Sequence, residues 1–270
     1  MTIPDNILSE LEDAFNKQRL ESDRVEETFN IRRSQAGSTR KAHVDPKPLV
    51  DNLPDDDRAR RRRLLGYARG IKHVLMEPER SDADSWGFVE SAGGLLPSIE
   101  IPTFVDGVEA AADKPAWTVD FPGDVVVCYF IQLDRGLRVL TEAQVEQWGV
   151  SDDRITAGAR SILFHKTRNL DFVTFDDFDG VHRLRAGDGY DASRCFVVSD
   201  VFYSELDQGF RFALPSPDHF LCVFDDSPEM IDELSRAAIS TYREADIPLT
   251  PHLFEFDVSS PVISKELSDE

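Results

Sequence analysis

Seven consecutive apolar residues, Val125-Val126-Val127-Cys128-Tyr129-Phe130-Ile131, constrain the fold of this chain more than any other stretch. A continuous apolar run this short, rich in β-branched side chains, reads as a central strand buried on both faces. Asp134-Arg135-Gly136 then makes a turn, and residues 137–140 return as its hairpin partner. Thr141-Glu142-Ala143-Gln144 has the spacing of a capping box, so a helix starts at Glu142 and ends at Gly149. Ser151 caps the next helix, to about residue 166, with Ile155, Ala159, Ile162 and Leu163 inward.

The second half continues in this way. Residues 172–175 and 181–185 flank a turn containing Asp176, Asp177, Asp179 and Gly180, and form a hairpin. A helix is expected from Tyr190 to about Leu206. Residues 211–214 and 220–224 pair across Pro215 and Pro217. Ser227-Pro228 opens the last long helix, and 253–256 close as a strand. Residues 258–270 read as an acidic tail.

The first half begins with an amphipathic helix over 4–18, with Ile7, Leu8, Leu11, Ala14 and Phe15 on one stripe. Residues 25–31 read as a strand, 34–40 as a turn and 41–44 as the return strand. Asp55-Asp56-Asp57 places three acids at the start of a long helix that stops before Pro78. In it, Arg58, Arg60, Arg61, Arg62 and Arg63 form a basic face, partly neutralised by those acids. Residues 79–94 read as a loop. Pro97 and Pro102 make 95–104 an edge strand, and 106–115 a linker. The domains expected are a peripheral helix and strand over 1–40, an α+β half over 41–110, a second over 116–257, and the tail. Strands in pairs broken by single helices give an α+β class, with a mixed, largely antiparallel sheet and helices packed on one face.

The chain of 270 residues has a formal net charge of −21, which argues against nucleic-acid phosphate and anionic membranes as partners. Cys128, Cys195 and Cys222 lie far apart among apolar neighbours, as buried reduced thiols of a cytoplasmic protein would. No apolar segment follows Met1 as a secretion signal would, and no run reaches the length of a membrane span. No cofactor and no metal is expected. The six histidines lack ligand spacing, and Asp177-Phe178-Asp179-Gly180 fails the calcium-loop frame at Phe175 and Ala186.

The least ordinary local sequence runs over 183–194, Arg-Leu-Arg-Ala-Gly-Asp-Gly-Tyr-Asp-Ala-Ser-Arg. Gly187-Asp188-Gly189-Tyr190-Asp191-Ala192 matches a dinucleotide fingerprint, with Asp207 as its downstream acid. Asp188 and Asp191 would repel a pyrophosphate, however, and the strand before them belongs to a hairpin. The competing reading has the glycines making a tight strand-to-helix turn, Asp191 capping the helix and Arg194 pairing with Asp191 or Asp188. A third reading keeps Asp188, Tyr190, Asp191 and Arg194 as a polar cluster presented to a ligand.

The motif DGYDASR over 188–194 resembles the YtpQ-like family of bacterial proteins, a domain of unknown function. The strand 125–131, Arg138-Val139-Leu140-Thr141, Trp148-Gly149, Ala213-Leu214-Pro215, Asp218-His219-Phe220-Leu221 and Asp246-Ile247-Pro248-Leu249-Thr250 are similar at the level of pattern. The resemblance covers 40–257 and implies no catalytic residue. The functional expectation is a soluble, non-catalytic module that binds a protein or a small-molecule partner through Asp188, Tyr190, Asp191 and Arg194. The alternative is an enzyme using Asp188, Asp191 and Arg194, with His182 or Tyr190, on a small polar substrate.

Overall fold

The structure, a computed structural model, describes residues 3–35, 38–77, 86–112, 114–133, 136–202, 206, 209–257 and 260–267. Asp134 and Arg135 of the expected turn, residues 79–85 of the expected 79–94 loop, Asp207, and residues 258, 259 and 268–270 of the expected tail lie outside them. The class is α+β with mostly antiparallel sheets. The chain divides into two compact units that are not consecutive in sequence: Met1–Gly87, Ile101–Trp117 and Ile131–Gly149 form the first, and Phe88–Glu100, Thr118–Phe130 and Val150–Glu270 the second.

In the first unit, helix α1 (Asp5–Lys17) buries Leu8, Leu11, Ala14 and Phe15, the stripe its 3.6-residue period specifies. An antiparallel sheet follows: β1 (Glu21–Val25), β2 (Thr28–Gln35) and β3 (Ser38–Val44). The single strand expected over 25–31 is two, because Glu26 takes a positive φ of 57° and turns the chain between them. After the short α2 (Lys47–Val50) comes α3 (Asp57–Met76), where Asp56, the second of the three acids, accepts the Ala59 N–H as N-cap. Phe15, Phe29, Ile31, Leu64, Tyr67 and Ile71 share one core, so α1 and β2 pack with α3. Arg60 of the basic face pairs with Glu10 and Asp57, and Arg63 donates to the Asn52 carbonyl.

In the second unit, α4 (Phe88–Ala92) precedes β4 (Leu95–Glu100), which is buried along its whole length. The supposed linker is helix α5 (Pro102–Ala112) of the first unit, buried through Thr103, Phe104, Gly107 and Val108. Pro102, expected in the edge strand, and Gly107, within the supposed linker, both lie in this helix. One is the first helical residue, where proline is tolerated. The other marks a close helix approach.

Strand β5 (Thr118–Asp120) pairs with β6 (Val126–Leu133), which lies centrally in the order β4-β6-β5 and buries Val127–Ile131, as the apolar run requires. In the first unit, β7 (Gly136–Val139) pairs with β6. It leads into α6 (Glu142–Trp148), where the capping box is complete: Thr141 Oγ1 accepts from Gln144 N, and Gln144 Oε1 accepts from Thr141 N at 3.2 Å. We expect Thr141→Ala to lower unfolding free energy by about 1 kcal/mol, read as a fall in urea midpoint at constant slope. An unchanged midpoint would remove the cap from the account.

The second unit continues with α7 (Asp152–Thr167), β8 (Phe172–Thr174), β9 (His182–Leu184) and a 3-10 turn, Ala192–Phe196. Then come α8 (Val198–Val201), β10 (Arg211–Ser216), β11 (His219–Val223), α9 (Pro228–Glu244), β12 (Leu253–Asp257) and β13 (Ser260–Lys265). Six of these strands form one sheet in the order β13-β12-β10-β11-β9-β8. Helix α9 covers one face through Leu234, Ala237 and Ala238 against Ala213, Leu221 and Leu253. Two expectations are corrected here. Residues 260–265 extend the sheet as its edge strand instead of forming a loose tail. The long helix expected from Tyr190 is a 3-10 turn and a four-residue helix, divided at Val197 with φ −132°.

Among the described residues no helix is long and apolar enough to cross a membrane.

Candidate functional site

Strand β9 ends at Leu184, and the chain then reverses through Gly187 and Gly189, both at positive φ (69° and 81°). Glycine is the residue that takes such angles without steric cost. The reversal brings Asp188, Asp191 and Arg194 together. Arg194 is fully buried. Its Nη1 donates to Asp188 Oδ1 at 3.0 Å and to Asp191 Oδ1 at 2.8 Å, and its Nη2 to Asp188 Oδ2 at 3.0 Å. Asp191, also fully buried, accepts the Ala186 N–H at 2.9 Å and the Gly187 N–H at 3.3 Å.

The expected N-cap is therefore not formed. Asp191 has helical angles (φ −60°, ψ −44°) and makes no cap hydrogen bond. Its carboxylate reaches back across the glycine turn instead of forward into the helix. The same contacts disfavour a phosphate loop: the Ala186 and Gly187 amides, which would face a pyrophosphate, already hold an internal carboxylate. Neighbouring groups are also committed. Ser193 Oγ accepts the Ile99 N–H at 3.2 Å, and the Ala192 N–H donates to the Pro217 carbonyl at 3.0 Å. Tyr190 is buried with its hydroxyl unpartnered among the described residues, and burial, with the charges of Glu100 and Asp188, pushes its pKa up.

Thus the structure brings all four expected site residues into one turn, but the three charged ones pair with one another, the Arg194 Nε alone staying buried without a partner among the described residues. Only Asp188 keeps about a third of its side chain exposed (33%). Burial works against its ionisation, yet the hydrogen bonds and charge of Arg194 and the Tyr190 N–H outweigh it and hold its pKa low. Burial raises that of Asp191 instead. A depressed carboxyl pKa gives stability that is present above the unfolded value, near 3.9, and is lost as pH falls through the folded value. Asp188→Asn should remove that part of the acid sensitivity. Urea midpoints for wild type and variant would converge below about pH 4. Parallel curves down to acid pH would contradict it.

The surface beside this turn was not evident from sequence. Arg183 lies in β9 and Arg185 directly follows its last residue, Leu184, so the strand's alternation carried one residue on places both on one face. On β11, Leu221 is opposite Arg183 and Phe220 opposite Leu184. Continuing that register places His219 opposite Arg185. Ser216 on β10 is the partner of His219 on the other side. The result is a cross-strand row, Arg185, His219, Ser216, with Arg183 next to it on the same face. Ser216 Oγ lies 2.7 Å from His219 Nδ1. The Arg183 guanidinium stands over the Phe175 ring at 5.6 Å, and His219 meets the same ring edge-on at 6.2 Å. Burial lowers the His219 pKa. Arg183 and Arg185 push the same way, and Asp218 and Asp191 oppose them.

Neither Arg183 nor Arg185 has an ion-paired carboxylate or a side-chain hydrogen bond among the described residues, and Arg183 Nε is buried without a partner. His182, the histidine of the enzymatic alternative, belongs to the opposite face of β9 and packs against Phe224 at 5.2 Å. The sequence signal was the Arg-Leu-Arg alternation. What it lacked was the strand register that brings residue 219 beside residue 185.

The first unit has a groove of about 550 Å³ lined by Asp45, Arg63, Tyr67, Asp106 and Glu109 among others. Several of its polar groups serve their own backbone: Asp45 accepts from Lys47 N, Glu109 from Ala116 N, and Arg63 donates to the Asn52 carbonyl. It is the weaker candidate for that reason. No family model matches the chain, and no curated protein or solved structure does.

Proposed function

We propose that this chain is a non-catalytic binding module whose contact surface is made by Arg183, Arg185 and His219 where they stay partly exposed on the sheet face that α9 covers, held in place by the locked turn at 188–194. The observation that carries the reading is the pair of arginines, Arg183 and Arg185, with no carboxylate partner among the described residues of a chain rich in acids. Under this proposal DGYDASR, the piece that resembles the YtpQ-like family, is the frame of the site. Asp188, Tyr190, Asp191 and Arg194 then act on the partner or ligand through position, not by contact. The enzymatic alternative gains something from the Ser216–His219 hydrogen bond, since a serine bonded to an imidazole is half of a nucleophile–base arrangement. Ser216 is only 4% exposed, however, which weighs against attack on a substrate and for an orienting role.

The test compares wild type with the double variant Arg183→Ala, Arg185→Ala, each isolated from the native source under mild conditions. Native mass spectrometry should find a bound small molecule or protein on wild type. It should be absent from the variant at an unchanged melting temperature. Equal retention on both, or nothing bound to either, would overturn the reading.

A further inference from the structure

We propose that Arg183, Arg185 and His219 bind a single phosphate group, with Ser216 orienting the imidazole. This rests on the reading above and names its ligand chemistry.

Each guanidinium offers up to five N–H donors in a fixed fork and stays protonated, so two side by side match a tetrahedral oxyanion carrying close to two negative charges. The expected structure of such a pair in an acidic protein is an ion pair with a neighbouring carboxylate. Among the described residues no acid supplies one. Asp191 and Asp188 are engaged by Arg194, and Asp218 is exposed at the tip of the β10–β11 hairpin. The β9–β11 register and the shared Phe175 ring place Arg183 beside His219, and continuing the register past Leu184 adds Arg185.

The histidine completes the donor set. Its lowered pKa leaves it neutral at pH 7, with one protonated nitrogen. When the Ser216 hydroxyl donates to Nδ1, that proton resides on Nε2, which becomes a donor. Ser216 is buried and fixed by strand pairing, so the ring orientation is set before a ligand arrives. Phe175 performs the same service for Arg183, whose guanidinium lies over the aromatic face. Preorganisation of this kind lowers the ordering cost that a flexible arginine would otherwise incur on binding.

The surroundings also limit the ligand. A nucleic-acid backbone would bring further phosphates against Asp188, Asp218 and the net charge of −21. One isolated phosphate group, free or at the end of a small molecule or side chain, escapes that repulsion. A carboxylate carries half the charge and would leave donors unused.

The experiment is a titration of the full chain, following the His219 ring signals by NMR, with inorganic phosphate, phenyl phosphate and acetate in separate arms. We expect saturable shifts with phosphate or phenyl phosphate at a Kd below about 1 mM, and at least a tenfold weakening in Arg183→Ala, Arg185→Ala. Tighter binding of phenyl phosphate identifies an esterified phosphate as the ligand, and equal binding identifies the free ion. Either supports the proposal. Ser216→Ala should weaken binding and move the His219 titration, and Ser216→Thr should restore both, which a merely structural hydroxyl would not do. Absence of saturation with both phosphates, equal binding of acetate, or binding that persists in the double variant would overturn it. If phosphate fails while the double variant still loses its native ligand, this assignment falls and the binding reading stands. If phosphate binds while native retention is equal, the reverse holds.

Discussion

Arg194→Ala is expected to lower unfolding free energy by about 3–5 kcal/mol, the range for removing one partner of a buried ion pair. Arg194 and Asp191 are both fully buried, so the substitution strands a carboxylate with two backbone N–H donors and no counter-charge, beside a second acid, Asp188. For a chain of this size the corresponding fall in melting temperature is roughly 10 °C. Arg194→Lys should recover little. A lysine keeps the charge but loses the fork that reaches Asp188 twice and Asp191 once. The triple variant Arg194→Met, Asp188→Asn, Asp191→Asn separates causes. If the cost of Arg194→Ala is mainly the stranded charge, the triple variant is more stable than the single one. A loss under about 1 kcal/mol for Arg194→Ala would mean that the turn does not depend on this pair. Because β9 runs directly into the turn, loosening it should also weaken phosphate binding at Arg183 and Arg185.

What was legible in the sequence was what local physics decides. The run 125–131 is apolar at every position and became the centre of its sheet, because a strand without a polar side needs cover on both faces. The Thr141 box and the Ser227-Pro228 start also carry their geometry within four residues. What was not legible depended on distant partners. Pro102 suggested an edge strand and 106–115 a linker until α3 supplied the surface that makes 102–112 a helix. Asp191 had the sequence position of an N-cap. It became the counter-ion of Arg194 because the glycine turn presents Ala186 and Gly187 N–H groups to it first. The candidate site shows the same division. Arg183 and Arg185 were visible as an alternation, but His219 and Ser216 join them only through the pairing of β9, β11 and β10. A one-residue slip in that pairing would send His219 to the other face.

Gly107→Ala should be the most damaging single-methyl change in the first unit, costing about 3 kcal/mol or more. The usual effect of this substitution inside a helix is the opposite, a gain of about 0.5–1 kcal/mol from reduced chain entropy. The sign reverses here because α3 and α5 touch backbone to backbone. A Cβ on Gly107 would overlap the Tyr67 carbonyl, and one on Gly70 would overlap the Phe104 carbonyl. The contact is thus reciprocal, each helix using a glycine to admit the other's main chain. A carbonyl oxygen has no rotamer to adopt, so the helices must move apart. That would open the packing of Tyr67, Ile71, Phe104 and Val108, all at most 2% exposed. Gly66→Ala supplies the internal comparison. Its added methyl would meet the side chains of Ile101 and Thr103, which can rotate, so its cost should be smaller. Urea unfolding of the three variants should rank Gly107→Ala and Gly70→Ala well below Gly66→Ala. Gly107→Ala at or above wild-type stability would show that the two helices do not cross at contact distance.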